Sequence, residues 1–290
     1  MRGGAVGTLR AASAALVLCG GTACYATHEY REIRERPAAT GSAALAAQVA
    51  LTAGDLRLGR GERDALYDLR LRYCRSHFAP RLAHGVPGAP SLEVGLQRRR
   101  TDTMAVPSDD ERNRIELDLN PDHEIDLRLD LGAGRHVASL GGLQLARLTV
   151  ACGGGDVALD FDEPTRGNLE QIEVDAGTGS LHLARLGNAS PAAVVVRGGS
   201  GTLELDLRGS WRRDATLQIG VRLGDVLVLV PRGLAVEVRA AGRDPADLAL
   251  EGFVKDAEGR YLGPTAGNGA RRLSIAVEPG IGLFEARVVE

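Results

Sequence analysis

From Ile115 to the end of the chain, apolar and polar residues alternate with a period of two, the pattern of strands with one buried face. Ile115/Leu117/Leu119 and Ile125/Leu127/Leu129 are two such runs, separated by the turn residues Asn120-Pro121-Asp122. The same pattern returns at Leu143/Leu145, Leu148/Val150, Val157/Leu159/Phe161, Ile172/Val174, Leu181/Leu183, Val194/Val196 and Leu203/Leu205/Leu207. Leu217/Ile219/Val221, Val226–Val230, Val236/Val238, Leu273/Ile275/Val277 and Phe284/Ala286/Val288 complete it. Glycine-bearing turns fall near 132, 153, 177, 199 and 224, and several share the form G-x-G, at Gly132/Gly134, Gly177/Gly179, Gly199/Gly201 and Gly280/Gly282. A period in the twenties predicts rungs that cannot bury their own faces and stack on one another. An antiparallel sandwich would also place strands at short intervals. The turns recur in kind as well as in spacing, so the pattern favours an all-β stack of rungs, a β-roll or β-helix-like solenoid.

Upstream, Gln48–Leu51, Leu56–Leu58, Leu66–Cys74 and Ser91–Gln97 carry strand signals. His77–Pro90, with its prolines and glycines, is read as a loop with room for one short strand, and Arg98–Asn113 as a solvated loop. No long helix is expected after Cys24. One continuous domain over 44–290 is predicted, with Leu283–Val289 as its terminal rung and first candidate contact surface.

The first 23 residues have the parts of a bacterial export signal. Arg2 and Arg10 are followed by the apolar run Ala11–Leu18, which is too short to span a bilayer. Gly21-Thr22-Ala23-Cys24 resembles a lipobox, with small residues before the cysteine but Gly21 where leucine is preferred. Cys24 is therefore the expected lipid attachment site; the alternative is ordinary secretory cleavage near Ala23 or Ala26. Residues 24–43 are expected to form the lipid-bearing cysteine and a flexible tether, in which Glu29–Glu35 has room for a short amphipathic helix. This address is exported, on a membrane of the cell envelope, with a periplasmic or outer-membrane location in a two-membrane cell.

Composition removes several functions. The chain has 290 residues with 35 basic against 38 acidic ones, and these are interspersed along the strands, so no nucleic-acid partner is expected. His28, His77, His84, His123, His136 and His182 are scattered without metal-ligand spacing and are read as solvated or turn histidines; no metal and no cofactor is expected. Gly153–Gly155 is not followed by the Lys-Ser/Thr of a phosphate cradle. The carboxylate pairs Asp126/Asp130, Asp156/Asp160 and Glu204/Asp206 are read as solvated strand faces, and Trp211 is the only Trp available to stack a sugar ring. No catalytic residue is assigned. With Cys19 cleaved and Cys24 acylated, Cys74 and Cys152 are the only cysteines left, and an oxidising compartment predicts a bridge between them.

Gly198–Trp211 (GGSGTLELDLRGSW), Val221–Gly233 (VRLGDVLVLVPRG) and Gly280–Val289 (GIGLFEARVV) resemble the toast-rack domain. It is similar to the C-terminal portion of LiaF-like proteins of cell-wall-antibiotic stress responses, and Val49–Tyr73 looks like the start of that domain. The resemblance spans roughly 44–290 and implies a non-catalytic β-domain engaged in envelope-stress sensing through an envelope protein partner. The regulators it resembles carry transmembrane helices ahead of the domain, whereas this chain has a lipoprotein-like signal. Two other functions are open at this point: a self-assembling structural or adhesin-like module, and a carbohydrate-active β-helix enzyme.

Overall fold

Alternating strands must find two partners for each buried face, and here they sort into two facing sheets around one apolar core. The computed structural model describes residues 29–39, 41, 43–86, 88–99, 113–264, 267 and 269–290. In chain order, β1 (Tyr30–Glu35), β2 (Leu45–Ala53) and β3 (Asp55–Arg60) precede β4 (Tyr67–Cys74), β5 (Phe78–Val86), β6 (Ala89–Arg98) and β7 (Arg114–Leu119). In the middle of the chain β8 (Glu124–Ala133) is followed by β9 (Arg135–Ser139), β10 (Gln144–Cys152) by β11 (Asp156–Asp160), and β12 (Gln171–Ala176) by β13 (Ser180–Ala184). After the short helix α1 (Leu186–Ala189) come β14 (Ala193–Gly198) with β15 (Thr202–Asp206) and β16 (Ala215–Gly220) with β17 (Val226–Pro231). The chain closes with β18 (Ala235–Arg239), β19 (Leu248–Glu251), β20 (Val254–Lys255), β21 (Tyr261–Leu262), β22 (Arg272–Val277) and β23 (Phe284–Val289).

The first sheet runs β1-β4-β7-β3-β9-β11-β13-β15-β17-β23-β19, and the second β20-β21-β18-β22-β16-β14-β12-β10-β8-β2-β6-β5. Each rung contributes one strand to each sheet, and rung pairs with rung in parallel throughout the stack. That pairing decides for the stacked solenoid over the antiparallel sandwich. Among the described residues, antiparallel strands occur only at the ends, where β4, β1 and β5 close one end and β21 and β20 the other.

The stack does not follow chain order at its ends. β2/β3 lies between β6/β7 and β8/β9, and β22/β23 lies between β16/β17 and β18/β19. Each end thus contains a slot filled from elsewhere in the chain. Leu283–Val289 is consequently not the terminal rung: β23 is flanked by β17 and β19, and β19 is the edge.

Two further expectations are corrected. Tyr30–Glu35, within the segment read as a tether with room for a helix, is a strand, because alternation sets Ile33 beside the inward Leu71 while β4 supplies the hydrogen bonds. His77–Pro90 is mostly β5, hairpinned onto β6, and Pro80 is tolerated there because β5 is an edge strand.

The inward positions form columns of like residues from rung to rung. One runs Val49, Leu129, Val150, Val174, Val196 and Ile219 in the second sheet, all buried. Burying each such side chain stabilises the fold by about 1.5–3 kcal/mol. Aspartates staple neighbouring rungs where a strand begins: Asp55, Asp214 and Asp225 accept the N–H of Arg135, Arg272 and Leu283 at 3.0, 2.9 and 2.9 Å.

The second glycine of each G-x-G turn has one physical cause. The turns between the sheets stack into a column of Gly54, Gly134, Gly155, Gly179, Gly201, Gly224 and Gly282, each against the carbonyl of its neighbour. A Cβ on Gly179 would lie 1.8 Å from the Gly155 oxygen, so only glycine fits.

Candidate functional site

Cys24 and the export signal lie outside the described residues. Cys74 and Cys152 are not bridged to each other. Cys74 ends β4 in the first sheet and Cys152 ends β10 in the second, near the level of β11. From β4 through β7, β3 and β9 to β11 is four strand spacings, roughly 19 Å, far beyond the span of a disulfide. Burial, reinforced by Asp175, pushes the Cys152 thiol up to about 11, so it stays protonated and weakly nucleophilic.

Two histidines are buried rather than solvated. His123 Nδ1 is 2.9 Å from the Ala43 carbonyl, and His136 Nε2 is 3.1 Å from the Gly132 carbonyl. His136 takes an inward position between Leu56 and Val157, its Nδ1 is buried without a hydrogen-bond partner, and burial holds its pKa below the ordinary imidazole value. Among the described residues, no group of acidic, His or Cys side chains converges to hold a metal ion.

Most members of the carboxylate pairs meet a basic side chain, and Asp156 accepts from the Ser180 hydroxyl. Asp126 meets Arg147 at 3.6 Å, Asp130 meets Arg128 at 3.3 Å and Gln48 at 3.3 Å, and Asp160 accepts from Arg185 at 2.8 Å. Glu204 lies 3.5 Å from His182. Burial works against ionised Asp206, but hydrogen bonds from Arg208 override it and hold its pKa below the usual carboxylate range. Asp206 departs from the solvated-face reading, since it is buried beneath its contact with Arg208.

Concave surface is shallow and open. A trough of about 480 Å³ on the outside of the second sheet has a floor of Ala50, Gly95 and Ala151, with Arg81 and Asp130 at its sides. A second, of about 640 Å³, lies beside β18 between Val236, Val254, Leu262 and Pro264. Its carboxylate, Glu237, is engaged by Ser274 at 2.8 Å and Arg239 at 3.2 Å.

The turn column next to the glycines carries a different signal. Its successive residues are Ala53, Ala133, Gly154, Thr178 and Ser200, small or polar, and then Leu223 and Ile281. Leu223 pairs in register with both Ser200 and Ile281. Leu223, Ile281 and the nearby Leu283 are 53%, 68% and 39% exposed and cluster together; the other such group among the described residues is the pair Val254 and Leu262 on the short strands β20 and β21. Leu227, half-buried on the outer face of β17, extends the strip along the strand. Alternation alone hides this strip, since it lies in turns; the run of middle residues across the G-x-G turns is the sequence signal that exposes it.

A family model described as "N-terminal domain of toast_rack, DUF2154" matches residues 26–184. The match begins ahead of β1, in keeping with that strand's place in the sheet. Among curated proteins the chain finds no match. Solved structures of two proposed adhesion proteins resemble it. The one from Clostridium sporogenes is 15% identical with a TM-score of 0.46, covering 90% of this chain and 100% of the other. The one from Bacteroides fragilis is 11% identical with a TM-score of 0.44, covering 89% and 97%. Likeness at that level bears on neither partner nor activity. Among the described residues, no helix is long and apolar enough to cross a membrane.

Proposed function

The chain belongs to the toast-rack family, and from that premise we propose that it is a non-catalytic binding module of the cell envelope. It is exported, anchored through lipid on Cys24, and acts on a protein partner in the sensing of envelope stress. The observation that carries this reading is how the side chains are spent. The inward faces from Leu45 to Ala286 belong to one apolar core, so only outer faces, turns and ends are left to meet other molecules.

The placement of β1 sharpens the anchored arrangement. Five residues separate Cys24 from Tyr30, so the reach from lipid to sheet is roughly 20 Å, shorter than a 19-residue tether would allow. The end closed by β4 and β5 then faces the membrane, and the exposed Leu223/Ile281 strip stands several rungs away from it.

Two measurements test the proposal. Mass spectrometry of the mature N-terminus is expected to find Cys24 acylated, and an unmodified α-amino group there or a downstream start removes the anchor. Crosslinking in intact cells from the outer faces is expected to trap a discrete envelope protein. Turnover of a glycan, peptide or ester by the purified protein sinks the non-catalytic reading.

A further inference from the structure

We infer that the strip formed by Leu223, Ile281, Leu283 and Leu227 is a self-association surface, on which a second copy of this chain packs about a two-fold axis. The inference deepens the binding-module reading and rests on it. Nothing in the fold calls for large aliphatic residues at the turn tips, because the same column is satisfied by Ala133, Gly154, Thr178 and Ser200 in the preceding rungs. At Leu223 and Ile281 these side chains gain little burial within the chain, being 53% and 68% exposed. Their apolar surface is gained back only against another molecule.

Charge selects the occupant. Arg222 is exposed at the turn end of the strip and has no ion-pair partner among the described residues. At the other end, across from Leu227, stand Glu204 on β15 and Glu285 on β23. A two-fold-related copy runs its strip in the opposite direction, which sets each Arg222 over the other's Glu204 with the apolar residues meeting between them. The face is thus complementary to itself. A lipid surface is a poorer match, since Asp225 and Glu204 border the strip beside Arg222, while Glu285 is already paired with Arg287 at 2.5 Å.

Association through this face also agrees with how the sheet edges are guarded. β1 is lined with Arg31, Glu32, Arg34 and Glu35, β5 carries Pro80, β20 has two residues and β19 four. The strip lies instead on the turns that lead into the internal β17–β23 pair and on β17 itself.

Sedimentation equilibrium of the full chain over a wide concentration range tests the inference, with thermal melts as the folding control. Wild type is expected to pass from monomer to dimer. Leu223→Asp with Ile281→Asp is expected to raise the dimer dissociation constant at least about tenfold without lowering the melting temperature. Arg222→Glu is expected to weaken the dimer, and adding Glu204→Arg to return it to within about threefold of wild type. A monomer at every concentration overturns the inference, as does a dimer indifferent to Leu223→Asp and Ile281→Asp. Failure of the charge swap to restore association overturns the two-fold register. A monomer that binds vesicles of neutral or anionic lipid through Leu223 and Ile281 also overturns it, assigning the strip to membrane. A monomer that still crosslinks to an envelope protein leaves the binding-module reading standing, so the two fail separately.

Discussion

The two ends of the first sheet share an inner face and differ on the outer one. Toward the N-terminal end, Arg34, Arg70, Glu116 and Arg57 form one outward row across β1, β4, β7 and β3. Arg70 reaches Glu116 at 3.1 Å and Glu32 at 3.5 Å, and Arg72 lies 4.6 Å from the centre of the Tyr30 ring. Toward the C-terminal end, β17 and the turns leading into β17 and β23 show Leu223, Leu227, Ile281 and Leu283. Inside, both ends continue the same Leu and Val columns. The comparison separates two sets of demands on the sequence. Inward residues answer to the stack and vary little, whereas outward residues are free of it, so a departure from mixed charge there asks for a partner.

The ends also close differently. On the N-terminal side, Tyr67 seals the core, its hydroxyl 2.9 Å from His84 Nδ1 and 3.4 Å from Glu35, so one contact joins β4, β5 and β1. On the other side, Phe253 and Tyr261 pack against the core beneath two-residue strands, and β19 leaves a short edge.

The largest expected effect is one the ends share. Gly134→Ala and Gly282→Ala would put a Cβ 1.8 Å and 2.3 Å from a neighbouring carbonyl oxygen, at positive φ. Each is expected to cost more than about 4 kcal/mol or prevent folding. Gly259→Ala, also at positive φ but with open space around it, is expected to cost only about 1 kcal/mol. Urea melts of the three variants check this. Equal, small losses would mean that the spine yields, and that the G-x-G turns reflect turn conformation alone.

A smaller effect belongs to the N-terminal side. His136 stands where β9 meets the inserted strand β3, a seam of only three paired residues. Facing it are Leu56 and Val157, with Asp55 and Asp156 beside them and Arg135 preceding it. Its pKa is lowered in the folded chain, so the unfolded chain binds the proton first as pH falls. Stability is therefore full above about 6.5 and is lost as pH drops through the window between 6.5 and the lowered folded value. His136→Leu is expected to flatten that acid limb in melting temperature against pH. An unchanged limb would place the acid sensitivity elsewhere.

Tyr67 gives the matching alkaline test. Burial, then Glu35, pushes its hydroxyl up to about 12 from 10.0, so the folded chain keeps the proton longer than the unfolded one. Stability is expected to fall between pH 10 and 12, and Tyr67→Phe to remove that fall while costing about 1 kcal/mol at neutral pH. A Tyr67→Phe variant as stable as wild type at pH 7 would mean that the contact with His84 and Glu35 does not hold the N-terminal closure.

Much of the fold was legible because alternation reports directly what a strand buries. Nearly every residue in the predicted apolar runs, from Ile115 to Ala286, is buried, and the G-x-G turns mark the rungs. Alternation says nothing about which strand lies next to which, so the slots filled by β2/β3 and β22/β23 could not be read. β1 was hidden because its charged residues look like a tether until β4 gives them a sheet to face. β5 was hidden by Pro80, which is disqualifying in a central strand and harmless on an edge. The Cys74–Cys152 pairing rested on elimination among cysteines, and strand order placed the two apart. The apolar strip was hidden for another reason: alternation reports on strands, whereas Leu223 and Ile281 lie in turns whose other members are small.

The smallest expected effects lie on the outer faces, where the two ends should differ most in kind. Arg70→Ala on the charged row removes exposed ion pairs with Glu116 and Glu32 and is expected to change stability by only about 0.5 kcal/mol. It should also leave the assembly state unchanged, because nothing apolar is uncovered. Leu223→Asp is expected to be equally mild in a urea melt, since a side chain 53% exposed has little burial to lose. Its consequence should appear only as weaker association. A loss above about 2 kcal/mol for Leu223→Asp in a dilute, monomeric sample would show that the leucine is packed within its own chain. The C-terminal face would then be an extension of the core, and its difference from the N-terminal face would be a matter of folding rather than of partners.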